Sequence, residues 1–81
     1  MFGKENRKPG GPDLLHSEKI VTERKVFFLD LKENDRGQFV KITEDVRGHR
    51  DTILVPAEYL DDFIEALQRI AEESDNLSEE D

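Results

Sequence analysis

After Pro56 the chain places Leu60, Phe63, Ile64, Leu67, Ile70 and Ala71 at intervals of three and four residues. That spacing makes one apolar stripe on an otherwise charged helix. Glu58, Asp61 and Asp62 fall in its first turns, where the helix dipole favours negative charge. Pro56 suits the start of such a helix, since the N–H it lacks would have no partner there. A lone stripe has to be covered by something, and little chain is left to cover it. Of the 81 residues, only about 18–73 carry a folding pattern. A unit of that size buries roughly 60% of the surface its unfolded chain exposes. With no cysteine, no disulfide or cysteine–metal clip can compensate. Oligomerisation is the usual remaining remedy.

Upstream of the helix the periodicity is that of strands. Residues 19–23 include the β-branched run Ile20, Val21 and Thr22, and residues 24–32 continue through Val26, Phe27, Phe28, Leu29 and Leu31. A turn or bulge at residues 23–25 separates the two. Residues 33–37, Glu-Asn-Asp-Arg-Gly, form a strong turn signal, because Asn and Asp tolerate left-handed backbone and Gly has no Cβ to clash. A third strand spans residues 38–46, a loop residues 47–51, and a short fourth strand residues 52–55. The predicted class is α+β: a four-stranded antiparallel sheet followed by one amphipathic helix. Residues 1–17, with Pro9, Gly10, Gly11 and Pro12, read as a flexible arm whose Lys4, Arg7 and Lys8 can touch phosphate, and residues 74–81 as a disordered acidic tail.

Side chains alternate along a strand, so Phe27, Leu29 and Leu31 share one face, with Val40 and Ile42 their counterparts on the third strand. This set is expected to turn inward and meet the helical stripe. Phe39, Lys41 and Lys32, together with Phe28, are left on the open side. A ring exposed among lysines suits single-stranded nucleic acid, because bases stack on the ring while cations follow the backbone. The competing reading makes Phe28 and Phe39 a cross-strand pair, or covers them with a partner subunit.

A formal net charge of −8 argues against phosphate binding until the charges are located. Residues 72–81 hold six acids and no base. Residues 19–50 hold eight bases against six acids. The chain is thus polarised into a mildly basic strand region and an acidic helix and tail, the latter either a solubilising end or a competitor for the basic face. The first residues contain no apolar run suited to a signal peptide or membrane span, so the expectation is a cytoplasmic protein with no membrane partner.

Catalytic and metal chemistry find no support. No phosphate-binding glycine loop or Gly-x-Ser-x-Gly occurs, His16 and His49 fall in expected loops, and Asp61, Asp62 and Glu65 read as a solvated helix face. We therefore expect no catalytic residues, metal or cofactor. An adaptor that docks a basic protein on the acidic helix and tail is the main alternative to a nucleic-acid binder.

The stretch from Glu23 to Ile42 contains Lys32, Asn34, Arg36, Gly37 and Phe39 in the pattern Lys-x-Asn-x-Arg-Gly-x-Phe, after an aromatic strand and before a second strand. It resembles the PUR repeat of the purine-rich-element-binding family, and Ile53-Leu54-Val55-Pro56-Ala57 with the helix beyond resembles the repeat's close. The resemblance covers about residues 18–70. It implies a curved, Whirly-like ββββα repeat, of which two interlock to complete one domain. Because this chain holds one repeat, the resemblance implies a homodimer whose interface uses Leu60, Phe63, Ile64, Leu67 and Ile70. It also implies binding of single-stranded DNA or RNA with a preference for G-rich sequences. Lys32 and Asn34 are then the turn pair that contacts bases and phosphate, and Phe39 the ring that stacks on or wedges beside a base. Arg36 becomes a phosphate contact, Arg24 and Lys25 a basic spot between the first two strands, and Lys41 a further cation of the open face. Glu33 and Asp35 depart from a basic recognition turn, so the affinity expected of it is either weak or highly selective.

Overall fold

The computed structural model describes residues 11–79. Four strands, β1 (Asp13–Val21), β2 (Val26–Asn34), β3 (Gly37–Val46) and β4 (His49–Pro56), form a single antiparallel sheet in chain order. A 3₁₀ turn, Ala57–Tyr59, leads into the helix α1 (Leu60–Glu79). The expected order of four antiparallel strands and one helix is present. The expected arm cations Lys4, Arg7 and Lys8 lie outside the described residues, as do the last two acids of the tail.

Each hairpin is set by its turn. Between β1 and β2 the Thr22 hydroxyl accepts from the amides of Arg24 and Lys25 at 3.3 and 3.0 Å and donates to the Lys25 carbonyl at 2.9 Å. A hydroxyl that replaces backbone partners in this way lets the chain reverse within residues 22–25. Between β2 and β3 the Asn34 side-chain oxygen accepts from the Arg36 amide at 2.9 Å, and Gly37 follows at φ +129°, a conformation that only glycine adopts freely. Between β3 and β4 Arg47 and Gly48 both have positive φ, 55° and 89°. That pair of signs is the mirror-image turn whose twist matches an antiparallel hairpin. The loop expected at residues 47–51 is consequently only two residues long, and β4 begins at His49.

The ends differ from the sequence reading in two further ways. β1 starts at Asp13, because Leu14, Ser17 and Lys19 find partners along β2, with a bulge between Leu14 and His16. The helix runs on to Glu79, into the stretch read as a disordered tail, and Leu77 extends the apolar stripe seven residues beyond Ile70. Pro56 closes β4 at φ −60° and ψ 140°, immediately before the 3₁₀ turn.

The largest departure concerns the helix. It does not lie across its own sheet: beyond the 3₁₀ turn, which folds back on β3, the sheet's extensive contacts are among its own strands. Phe27, Leu29, Leu31, Val40 and Ile42 do share one face, as expected, but within one chain the helical stripe does not meet them. Among the described residues Val40 and Val55, directly opposed across β3 and β4, are the buried apolar ones, while Phe63, Leu67 and Ile70 stay 40–64% exposed. The radius of gyration is 16.3 Å, against roughly 11–12 Å for a closed chain of this length. The physical reason is area: one four-stranded sheet and one helix, joined by a short turn, bury too little of each other to hold the helix down.

The β2–β3 turn offers a direct check on this account. A Cβ at Gly37 would meet nothing within 4 Å, so any cost of Gly37→Ala comes from the positive φ alone. The expected loss is about 1–2 kcal/mol in urea denaturation. A midpoint equal to that of the wild type would contradict the assigned turn.

Candidate nucleic-acid interface

The registers of the three hairpins decide which side chains share a face. β2 pairs with β3 so that Lys32 stands opposite Phe39, Asp30 opposite Lys41 and Phe28 opposite Thr43. β3 pairs with β4 so that Phe39 meets Pro56, Lys41 meets Leu54, Thr43 meets Thr52 and Asp45 meets Arg50. β1 adds Leu14, Ser17 and Lys19 to the same side. This face therefore carries the cations Lys19, Lys32, Lys41 and Arg50 against the carboxylates Asp30 and Asp45. The opposite face carries Asp13, Glu18, Glu33, Glu44 and Asp51 and no Lys or Arg from any strand. A chain that is acidic overall thus presents one sheet face of net positive charge.

Phe39 is the centre of that face at its β2–β3 end. Half-buried, it lies between Lys32 on one neighbouring strand and Pro56 on the other. In front of it runs an open groove of about 280 Å³, with Asn34, Arg36 and Gln38 on the turn side and Phe39, Leu54 and Pro56 on the sheet side. The groove brings three of the expected site residues together, and Lys32 stands in register beside the ring. Among the described residues, no ion pair occupies Lys32, Arg36 or Lys41, so their charges remain available to a ligand. Asn34 has its carboxamide oxygen committed to the Arg36 amide, which leaves its NH₂ group to donate.

Glu33, which reads in sequence as a repulsive intruder in the recognition turn, belongs to the opposite face by parity along β2. Only Asp35, at the turn's apex, remains near the groove.

Arg24 and Lys25 do not join this site. They sit at the far end of β2, whose nine residues span roughly 26 Å at about 3.3 Å per step. Lys25 is also engaged: its Nζ lies 2.6 Å from a Glu44 carboxylate oxygen and 5.7 Å from the centre of the Phe27 ring. Phe28 and Phe39 are not a cross-strand pair, since Thr43 and Lys32 are their respective partners.

Gln38, Leu54 and Pro56 of the groove were missed in the sequence, and so were Lys19 and Arg50, which stand over the Phe28 ring at 5.8 and 5.5 Å. The missing signal was register. Once the reversal is known to lie at residues 22–25, Lys19 must face Phe28. Arg50 is steadied by Asp45, whose carboxylate accepts from its Nε at 2.9 Å and from the Gly48 amide at 2.8 Å. The Gly48 hydrogen bond chiefly holds the Asp45 carboxyl below the usual carboxylate range; desolvation, the next largest effect, opposes it, and the hydrogen bond and charge of Arg50 add smaller lowering contributions.

The sequence matches, over residues 2–81, the family described as PurA ssDNA and RNA-binding protein. The chain belongs to the PurA family. It is 38% identical over 66 residues to the human transcriptional activator protein Pur-alpha, which covers 73% of this chain and 20% of the relative. It is 36% identical over 81 residues to the transcriptional regulator protein Pur-beta-A of Xenopus laevis, covering 80% of this chain and 25% of the relative. Over 51 residues it is 41% identical to transcription factor Pur-alpha 1 of Arabidopsis thaliana, covering 63% of this chain and 17% of the relative. The chain therefore spans a quarter or less of the length of these PurA relatives. No solved structure matches it.

The Asp45 contacts give this face a pH signature. Because the folded carboxyl titrates below its unfolded value of about 3.9, its stabilising contribution is complete above that value and disappears as pH falls through the lowered one. The difference in Tm between wild type and Asp45→Asn is expected to be constant above about pH 5 and to shrink below about pH 4. A difference independent of pH would contradict the assignment.

Proposed function

We propose that this PurA chain acts as a homodimer that binds single-stranded DNA or RNA, G-rich strands preferentially, along the basic face of its sheet. The observation that carries the proposal is the half-open Phe39 ring on the face that holds all four strand cations, Lys19, Lys32, Lys41 and Arg50, with most of the strand carboxylates behind it. One base stacks on or wedges beside Phe39. Lys32 and Arg36 take the adjoining phosphates as point charge and fork respectively, and the Asn34 NH₂ donates to a base edge or a phosphate oxygen. Lys41 extends the track along β3.

Area supports the second chain. The surface of 7109 Å² exceeds by roughly 2,000 Å² that of a compact monomer of this length. Over two chains the excess comes to roughly 4,000 Å², within the total that obligate homodimer interfaces bury. Leu60, Phe63, Ile64, Leu67 and Ile70 supply an apolar stripe, and the opposite face of the sheet supplies Leu29, Leu31, Ile42 and Ile53 for a partner's helix to cover. Covering that face leaves the Phe39 face open.

Fluorescence anisotropy with a labelled single-stranded d(TG)₆ probe tests the binding. Phe39→Ala is expected to weaken it roughly 5- to 150-fold, the equivalent of one lost stacking interaction. Lys32→Ala should lower the slope of log affinity against log salt by about 0.7. Glu33→Gln should change little, because its side chain is on the other face. Wild-type affinity in Phe39→Ala and Lys32→Ala, or no binding at low salt, would favour the protein adaptor. Light scattering tests the assembly: two chains are expected for wild type and one for Leu67→Asp, and a wild-type monomer would overturn the dimer.

A further inference from the structure

The basic face carries a second ring that the Phe39 groove does not use. Phe28, half-buried on β2, has Lys19 Nζ at 5.8 Å and the Arg50 guanidinium carbon at 5.5 Å from its centre, one cation from each outer strand. Both cationic side chains are exposed, and such surface contacts hold a cation only weakly. A base, which stacks on a ring more strongly than an exposed cation sits over it, can displace them from the ring while their charges stay at its rim for the phosphates.

The spacing between the two rings is informative. Phe28 stands opposite Thr43, four residues along β3 from Phe39, so the rings are separated by roughly 13 Å along the strand and one strand spacing of about 4.8 Å across it. Consecutive stacked bases lie roughly 3.4 Å apart, so neighbouring nucleotides cannot occupy both rings. At least one nucleotide must bridge them, and the residue midway on β3 is Lys41, with no ion pair among the described residues. The carboxylate on this path, Asp30, accepts from the Ser17 hydroxyl at 2.8 Å and stands opposite Lys41. Thr43 and Thr52, whose hydroxyls lie 3.3 Å apart, floor the far end.

We infer that Phe28, with Lys19 and Arg50 at its rim, is a second base-stacking platform for the same single strand, joined to the Phe39 groove by a phosphate track over Lys41. The inference rests on the proposed function and adds to it a footprint. One strand crosses the sheet face from the β2–β3 turn toward the turns at residues 22–25 and 47–48, engaging two non-adjacent bases per chain. Asp45 acts as a positioning residue, since its contact with Arg50 holds that guanidinium over the ring.

The chain contains no tryptophan, so Phe28→Trp introduces a single indole at the platform. Anisotropy of labelled d(TG)₆ first establishes binding, and indole emission is then read at saturation. Quenching of that emission, together with a fall of about 5-fold or more in affinity for Phe28→Leu, is the expected result. Lys19→Gln, which leaves the ring in place, should lower the salt slope by about 0.7 and serves if Phe28→Leu fails to fold. Unchanged indole emission at saturation, with Lys19→Gln matching wild type, would overturn the second platform while binding through Phe39 stands. Absence of d(TG)₆ binding to the wild type would overturn both.

Discussion

The register of β2 against β3 is the constraint on which the rest depends. Strand side chains alternate with a period of two, so a slip of one residue would exchange the faces of every residue on β2. The slip is prevented at the turn, where the Asn34 carboxamide holds the Arg36 amide and Gly37 takes up a backbone angle that other residues resist. With that turn fixed, Lys32 stands beside Phe39 and Glu33 faces away. Asn34 and Gly37 therefore act first through geometry. Any chemistry of the turn with a ligand is built on a loop already shaped by these two residues.

The same parity explains how an acidic chain can present a basic surface. Net charge describes solubility and long-range repulsion, but a ligand lying on one face of a sheet responds to the charges of that face. Here the carboxylates of the strands are concentrated behind the sheet, and those on the front are engaged: Asp30 by Ser17, and Asp45 by Gly48 and Arg50. Lys25 shows the contrast, with Glu44 against its ammonium. Counting charges along the sequence would treat Lys25 and Lys32 alike, whereas the fold gives them different surroundings.

Much of this was legible in the residues. The turn at residues 33–37, the alternation of Phe27, Leu29 and Leu31, and the stripe from Leu60 to Ile70 each follow from a period or a turn chemistry that depends on neighbours in the chain. The grouping of Lys32, Phe39 and Lys41 on one face was legible for the same reason. What escaped depends on partners distant in sequence. The start of β1 at Asp13 requires β2 as a template, and the cations over Phe28 come from two other strands. The path of the helix was misread because an apolar stripe states that it needs a cover without stating which surface supplies it. Its continuation to Glu79 was hidden by a run of acids that suggests disorder by composition although Leu77 keeps the period.

One sheet face that is basic and aromatic, backed by one that is acidic and apolar, makes a spatial claim that can be mapped residue by residue. The most direct test is a two-dimensional NMR titration of the isotope-labelled protein with an unlabelled single-stranded d(TG)₆. The account predicts that the side-chain signals of Lys32, Phe39 and Lys41, and the Asn34 carboxamide, shift with added strand, while the side chains of Glu18, Glu33 and Glu44 behind the sheet do not. Shifts confined to the acidic face and the helix, with Phe39 unmoved, would contradict it.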